Sequence, residues 1–125
     1  MSKAFNPRKF LDIGKGLLED RGYDEDSRVR TAIGRFYYAA FLVAFQKLRS
    51  QGIPIQDDSK IHKEVIDAYM DRGLSSIGDL LDQLREMRVD ADYHMMGEMR
   101  LSTCRRYALL SERAIGLIDG IRTFR

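Results

Sequence analysis

One stretch constrains this chain more than any other: Phe36 to Gln46 runs through aromatic and aliphatic residues without a charge or a helix breaker. It is far shorter than the roughly 18 apolar residues that would suggest a membrane span, so it reads as a segment buried in protein. Val29, Ile33, Phe36, Tyr37, Ala40 and Ala44 recur at helical spacing on one face, and Tyr38, Leu42 and Phe45 occupy another. A helix that is apolar nearly all round belongs at the centre of a bundle. Acidic residues at its start, near Asp24 to Ser27, favour the positive end of the helix dipole, and Gly52 supplies a stop.

The rest of the chain supplies helices to cover it. Asn6 and Pro7 offer a cap and a preset first turn for a helix carrying Phe10, Ile13 and Leu17 as far as Gly22. Gly14 and Gly16 inside it each cost about 1 kcal/mol relative to alanine, so either a close helix crossing compensates or the helix is weak. Beyond a connecting loop from Gly52 to Ser59, Ile61, Val65, Ile66 and Tyr69 mark a short third helix ending at Gly73. A fourth helix carries Ile77, Leu80, Leu81, Leu84 and Ala91 and takes Ser75 or Ser76 as its cap. A fifth, capped by Ser102, carries Cys104, Tyr107, Ala108, Ile115, Ile118 and Ile121. No strand pattern or repeat competes with this reading. The expectation is an all-α, four- to five-helix bundle in one domain over residues 1–125, mostly antiparallel because its connections are short.

Composition excludes some partners. At 125 residues the chain can bury about two-thirds of its unfolded surface. A net charge of +2 falls short of the cationic stripe that would by itself announce nucleic-acid binding. The lone Cys104 cannot form an internal disulfide and no secretion-signal pattern opens the chain, so the cytoplasm is expected, without a membrane.

The fourth helix contains a misfit. At 100° per residue Leu81, Leu84, Arg88 and Ala91 share a stripe, which puts a guanidinium among apolar positions. A buried cation needs a carboxylate, a wet groove or an anionic ligand; Asp92, four residues on, is the simplest partner. His94 lies six residues after Arg88, about 120° around and about 9 Å along a straight helix, so the pair cannot grip one small group within one helix. Two copies packed through the stripe of Leu81, Leu84 and Ala91 about a two-fold axis would bring each Arg88 toward the other copy's His94. An arginine and a histidine suit metal-independent cleavage of RNA. The imidazole moves a proton to or from the reacting oxygens, and the guanidinium holds the phosphate as charge builds on it.

Three stretches together resemble the HEPN family, in its short single-domain prokaryotic branch. They are Arg35 to Phe41 in the second helix, Lys60 to Ile66 with His62 in the third, and Leu84, Arg85, Arg88, Ala91, Asp92 and Tyr93 in the fourth. The resemblance implies a homodimer. It also implies, in many relatives, metal-independent ribonuclease activity of the toxin or defence type, without a cofactor, through an Arg followed four to six residues later by His. Arg88 and His94 have that spacing. It further implies a minimal nucleotidyltransferase as a possible partner, although the tyrosine such a partner modifies, two residues past the histidine, is Met96 here.

The same residues admit plainer roles. Val89 and the aspartates Asp90 and Asp92 around the pair favour a non-catalytic module binding RNA, a nucleotide or a nucleotidyltransferase. Arg85, Arg100 and Arg105 can extend a phosphate-binding surface or form a solvated face. Asp92 and Tyr93 support the site, and Arg35 should find a buried carboxylate, with Asp92 a candidate. His62 has no second histidine at metal-ligand spacing and reads as structural, as do Tyr37 and Tyr38. Met95, Met96 and Met99 read as packing or dimer contact.

Overall fold

The fold is described from a computed structural model over residues 4–124. Five helices follow one another: α1 (Arg8–Glu19), α2 (Glu25–Ser50), α3 (Ile61–Met70), α4 (Ser75–Tyr93) and α5 (Leu101–Asp119), and the described residues contain no strand. None of the helices is long and apolar enough to cross a membrane. The all-α expectation therefore holds, and α2 is the central element: every other helix packs against it. Phe36, Tyr37, Ala39, Ala40 and Ala44 are wholly buried along its middle, as its uncharged sequence requires.

Named contacts give the helix directions. The start of α2 lies beside the end of α1 and the end of α4, because Arg28 reaches Leu17 and Leu18 and Arg30 reaches Ala91; both pairs are antiparallel. In contrast, α3 runs parallel to α2, since Tyr37 meets His62 while Tyr69 meets Ala44. The loop over residues 51–60 makes this possible. It is long enough to carry the chain back along α2 before α3 begins. Helix α5 is also parallel to α2, with Cys104 beside Val29 and the buried Ser111 hydroxyl donating to the Phe36 carbonyl at 2.7 Å.

Local chemistry sets the boundaries. Asp24 caps α2 by accepting from the Ser27 amide at 3.0 Å. Gly52 and Gly73 end α2 and the turn after α3 at φ +76° and +75°, a region costly for residues with a Cβ. The closest approaches to a neighbouring side chain are at Gly14 and Gly78. A Cβ on Gly14 would sit 2.5 Å from Phe36 Cε1, and one on Gly78 would sit 2.7 Å from the Met70 sulfur. Gly16 meets nothing, so of the two α1 glycines only Gly14 serves a close helix crossing.

Several caps differ from expectation. Pro7 occupies the N-cap of α1, and Asn6 Oδ1 accepts from the Arg8 amide. Leu74, not Ser75 or Ser76, precedes α4, because the positive-φ turn at Gly73 delivers the chain directly into its first turn. Arg100 rather than Ser102 precedes α5, and neither helix has a side-chain cap. The entry to α5 is held instead by Asp26, whose carboxylate accepts from the Met99 amide at 2.8 Å.

The stripe proposed as a dimer seam is also corrected. Leu81 and Leu84 are fully buried and Ala91 nearly so, all within one protomer's own core. A second copy cannot pack through them. A helix's apolar stripe faces whatever covers it, and here α2, α3 and α5 do so.

Candidate functional site

Two arginines at the start of α2 set the geometry of the site. A cation is disfavoured in the first turn of a helix, so Arg28 needs work elsewhere, and both it and Arg30 cap other helices. Arg28 donates to the Leu17 and Leu18 carbonyls at the end of α1. Arg30 donates to the carbonyls of Ala91 (2.9 Å), His94 (2.6 Å) and Gly97 (3.0 Å), while its Nε donates to Asp26 at 2.9 Å. With Asp26 it ties the end of α4 and the following loop onto α2. Sequence reading passed over Arg30, because the carbonyls it caps lie more than sixty residues away in the chain.

Against this fixed frame, Arg88 leaves the apolar stripe of α4 and turns into the groove between α4 and α2. Its side chain keeps 22% of its exposure, and Nε stands 2.9 Å from Asp92 Oδ2 without aiming its N–H at that oxygen. The Arg88 guanidinium lies 5.5 Å from the Tyr38 ring and 6.0 Å from the Tyr93 ring. The partner expected for Arg88, Asp92, is the one it has. The carboxylate expected for Arg35 is therefore taken. Arg35 stacks instead over Phe10 at 4.6 Å and Tyr38 at 5.4 Å.

His94 goes elsewhere. It is the C-cap of α4, with φ −88° and ψ 98°, so its side chain leaves the helical path. The imidazole is 71% exposed and its Nδ1 lies 3.0 Å from Asp90 Oδ1. Within one protomer, Arg88 and His94 each face a different aspartate and are not brought together. Beside His94 in the chain, Tyr93 is 65%, Met95 83% and Met96 93% exposed.

Of the other candidate cations, Arg85 lines a separate hollow with Asp82, Glu86, Val89 and Asp90, where three carboxylates oppose an anion. Arg100 and Arg105 are exposed near the start of α5 and lie outside the Arg88 groove. His62 is structural in its contacts, sharing a hydrogen bond with the Tyr37 hydroxyl and stacking on Phe41 at 4.5 Å. Burial, then the charges of Arg85 and Arg88, hold its imidazole below the usual histidine range. Burial likewise raises the Tyr37 phenol and pushes the Cys104 thiol up to about 12, so both stay protonated near neutrality. Among the described residues no His, Cys, Asp and Glu side chains are grouped to hold a metal ion.

No family model matches the chain, and no solved structure matches it. An uncharacterized protein of Methanocaldococcus jannaschii is similar to it, 26% identical over an alignment 119 positions long that spans 82% of this chain and 72% of the relative. That similarity carries no activity with it.

Proposed function

We propose that the chain is a HEPN-like RNA-binding domain that cleaves RNA without a metal ion when two copies pair. The observation that carries this reading is the end of α4. There a guanidinium emerges from an apolar stripe into an open groove, and a solvent-exposed imidazole follows one turn and a half later. In the reaction, Arg88 holds the phosphodiester while His94 takes the 2′-hydroxyl proton; the 2′-oxygen attacks phosphorus and the 5′-oxygen leaves with a proton returned to it. The products are a 2′,3′-cyclic phosphate and a 5′-hydroxyl. Asp90 at Nδ1 orients the ring and leaves Nε2 free for that transfer. A second copy, seated on the exposed Tyr93, Met95 and Met96 beside His94, would supply the arginine that one protomer keeps apart from its own histidine.

Incubation of the protein with RNA in excess chelator tests the reading. Wild type should generate cyclic-phosphate ends, and Arg88→Ala and His94→Ala should each lose roughly a hundredfold or more. Equal cleavage by all three, or none by wild type, rejects catalysis. A second reading is favoured by the aspartates held against both side chains, which oppose a phosphodiester: a non-catalytic module that binds RNA, a nucleotide or a minimal nucleotidyltransferase. Retention of RNA without cleavage selects it.

A further inference from the structure

The α2 wall of the groove carries chemistry that neither Arg88 nor His94 explains. Arg30, Thr31, Gly34, Arg35 and Tyr38 from α2 face Arg88 and Asp92 from α4 across a hollow of about 500 Å³. Three guanidiniums therefore meet one carboxylate. Arg30 is consumed by Asp26 and three carbonyls, and Asp92 stands 2.9 Å from Arg88 Nε without satisfying its N–H. Arg35 is half-buried, and among the described residues it has neither a carboxylate nor a hydrogen-bond acceptor; it rests on the faces of Phe10 and Tyr38. The Tyr38 ring holds both guanidiniums, Arg35 at 5.4 Å and Arg88 at 5.5 Å from its centre, which sets two like charges beside one aromatic ring. The floor is bare as well: a Cβ on Gly34 would meet nothing within 4 Å.

We propose that Arg35, Tyr38 and Arg88 form a phosphate clamp within a single protomer, with Gly34 as its floor. Like charges gathered in a partly desolvated hollow are destabilising until an anion joins them. Planar guanidiniums that present paired N–H donors suit phosphate oxygens, and the Tyr38 hydroxyl adds a neutral donor. Asp92 competes with the ligand for Arg88, so the clamp binds more tightly when that carboxylate is removed. The inference shares Arg88 with the ribonuclease reading but requires neither His94 nor a second copy. Two sources of the group are chemically equivalent here, an internal phosphodiester of RNA and a free phosphomonoester.

Titration with inorganic pyrophosphate, followed by amide chemical shifts, tests the clamp. Shifts should centre on residues 31–38 and 88–92. Arg35→Gln should weaken binding roughly tenfold to a hundredfold, Tyr38→Phe a few-fold, and Asp92→Asn should tighten it. Gly34→Leu should abolish binding by filling the hollow; if that variant does not fold, Arg35→Gln and Asp92→Asn decide. Undiminished binding by Arg35→Gln, weaker binding by Asp92→Asn, or no binding by wild type overturns the clamp. A nucleoside 5′-monophosphate and a dinucleoside monophosphate, whose only phosphate is internal, separate the two sources. RNA cleavage alongside pyrophosphate binding that Arg35→Gln leaves undiminished would sink the clamp and leave the ribonuclease reading standing, whereas binding that Arg35→Gln weakens, without cleavage of RNA, does the reverse.

Discussion

Two glycines a half-turn apart in α1 should respond to alanine with opposite signs. On Gly14 the new methyl would lie 2.5 Å from Phe36 Cε1 and 2.8 Å from Cδ1, about 1 Å inside normal carbon contact. Phe36 is completely buried, so its ring has no solvent to move into. Overpacking of this severity costs about 3 kcal/mol, and the better helix propensity of alanine returns about 1, leaving a net loss of about 2 kcal/mol. On Gly16 the methyl meets nothing within 4 Å and the residue is exposed, so the propensity gain of about 0.5–1 kcal/mol is realised in full. Urea unfolding followed by far-ultraviolet circular dichroism should separate the variants by more than about 1 M in midpoint, at unchanged slope. If Gly14→Ala is as stable as wild type, α1 and α2 do not cross as closely as Gly14 and Phe36 indicate, and the reasoning fails.

Arg30→Met should cost about 2–3 kcal/mol, because three carbonyls and Asp26 lose a charged donor together. Hydrogen exchange should quicken over residues 94–100, and unchanged exchange there would show that Arg30 does not anchor the loop. Stability should fall with acid through His62. Its folded imidazole resists protonation below the unfolded value of 6.5, so the contribution is complete above pH 6.5 and is lost as pH drops from there toward the lower folded value. His62→Gln should flatten the stability–pH curve between pH 7 and 5; a curve parallel to wild type counts against the burial of His62. Asp24 and Asp26, lowered chiefly by the amides of Ser27 and Met99, stabilise above pH 3.8 and lose that effect below it, so Asp24→Asn and Asp26→Asn should reduce acid sensitivity there. Ser111→Ala should cost about 1 kcal/mol for its buried bond to the Phe36 carbonyl, measured by the same urea midpoint.

Much of the fold is legible in residue order because helices are local. The run from Phe36 to Gln46 forces a buried central helix, and the positive-φ glycines Gly52 and Gly73 stand where chain reversal needs them. Arg88 is conspicuous for the same reason: a charge on an apolar stripe is visible from spacing alone, and so is its partner four residues on. Which neighbour covers a face is not local. The stripe of Leu81, Leu84 and Ala91 reads equally well as a seam between two copies or as part of one core, and only the packing of α4 on α2, α3 and α5 makes it the latter. Likewise Arg35 was matched to Asp92 by charge, but Asp92 lies within reach of Arg88 on its own helix, which leaves Arg35 to the rings of Phe10 and Tyr38. Residue order alone determined that this chain is a helical bundle with an arginine out of place on α4. The tertiary structure decided what that arginine faces: a groove whose other wall comes from α2, some fifty residues earlier in the chain, because side chains that distant meet only after the core has packed.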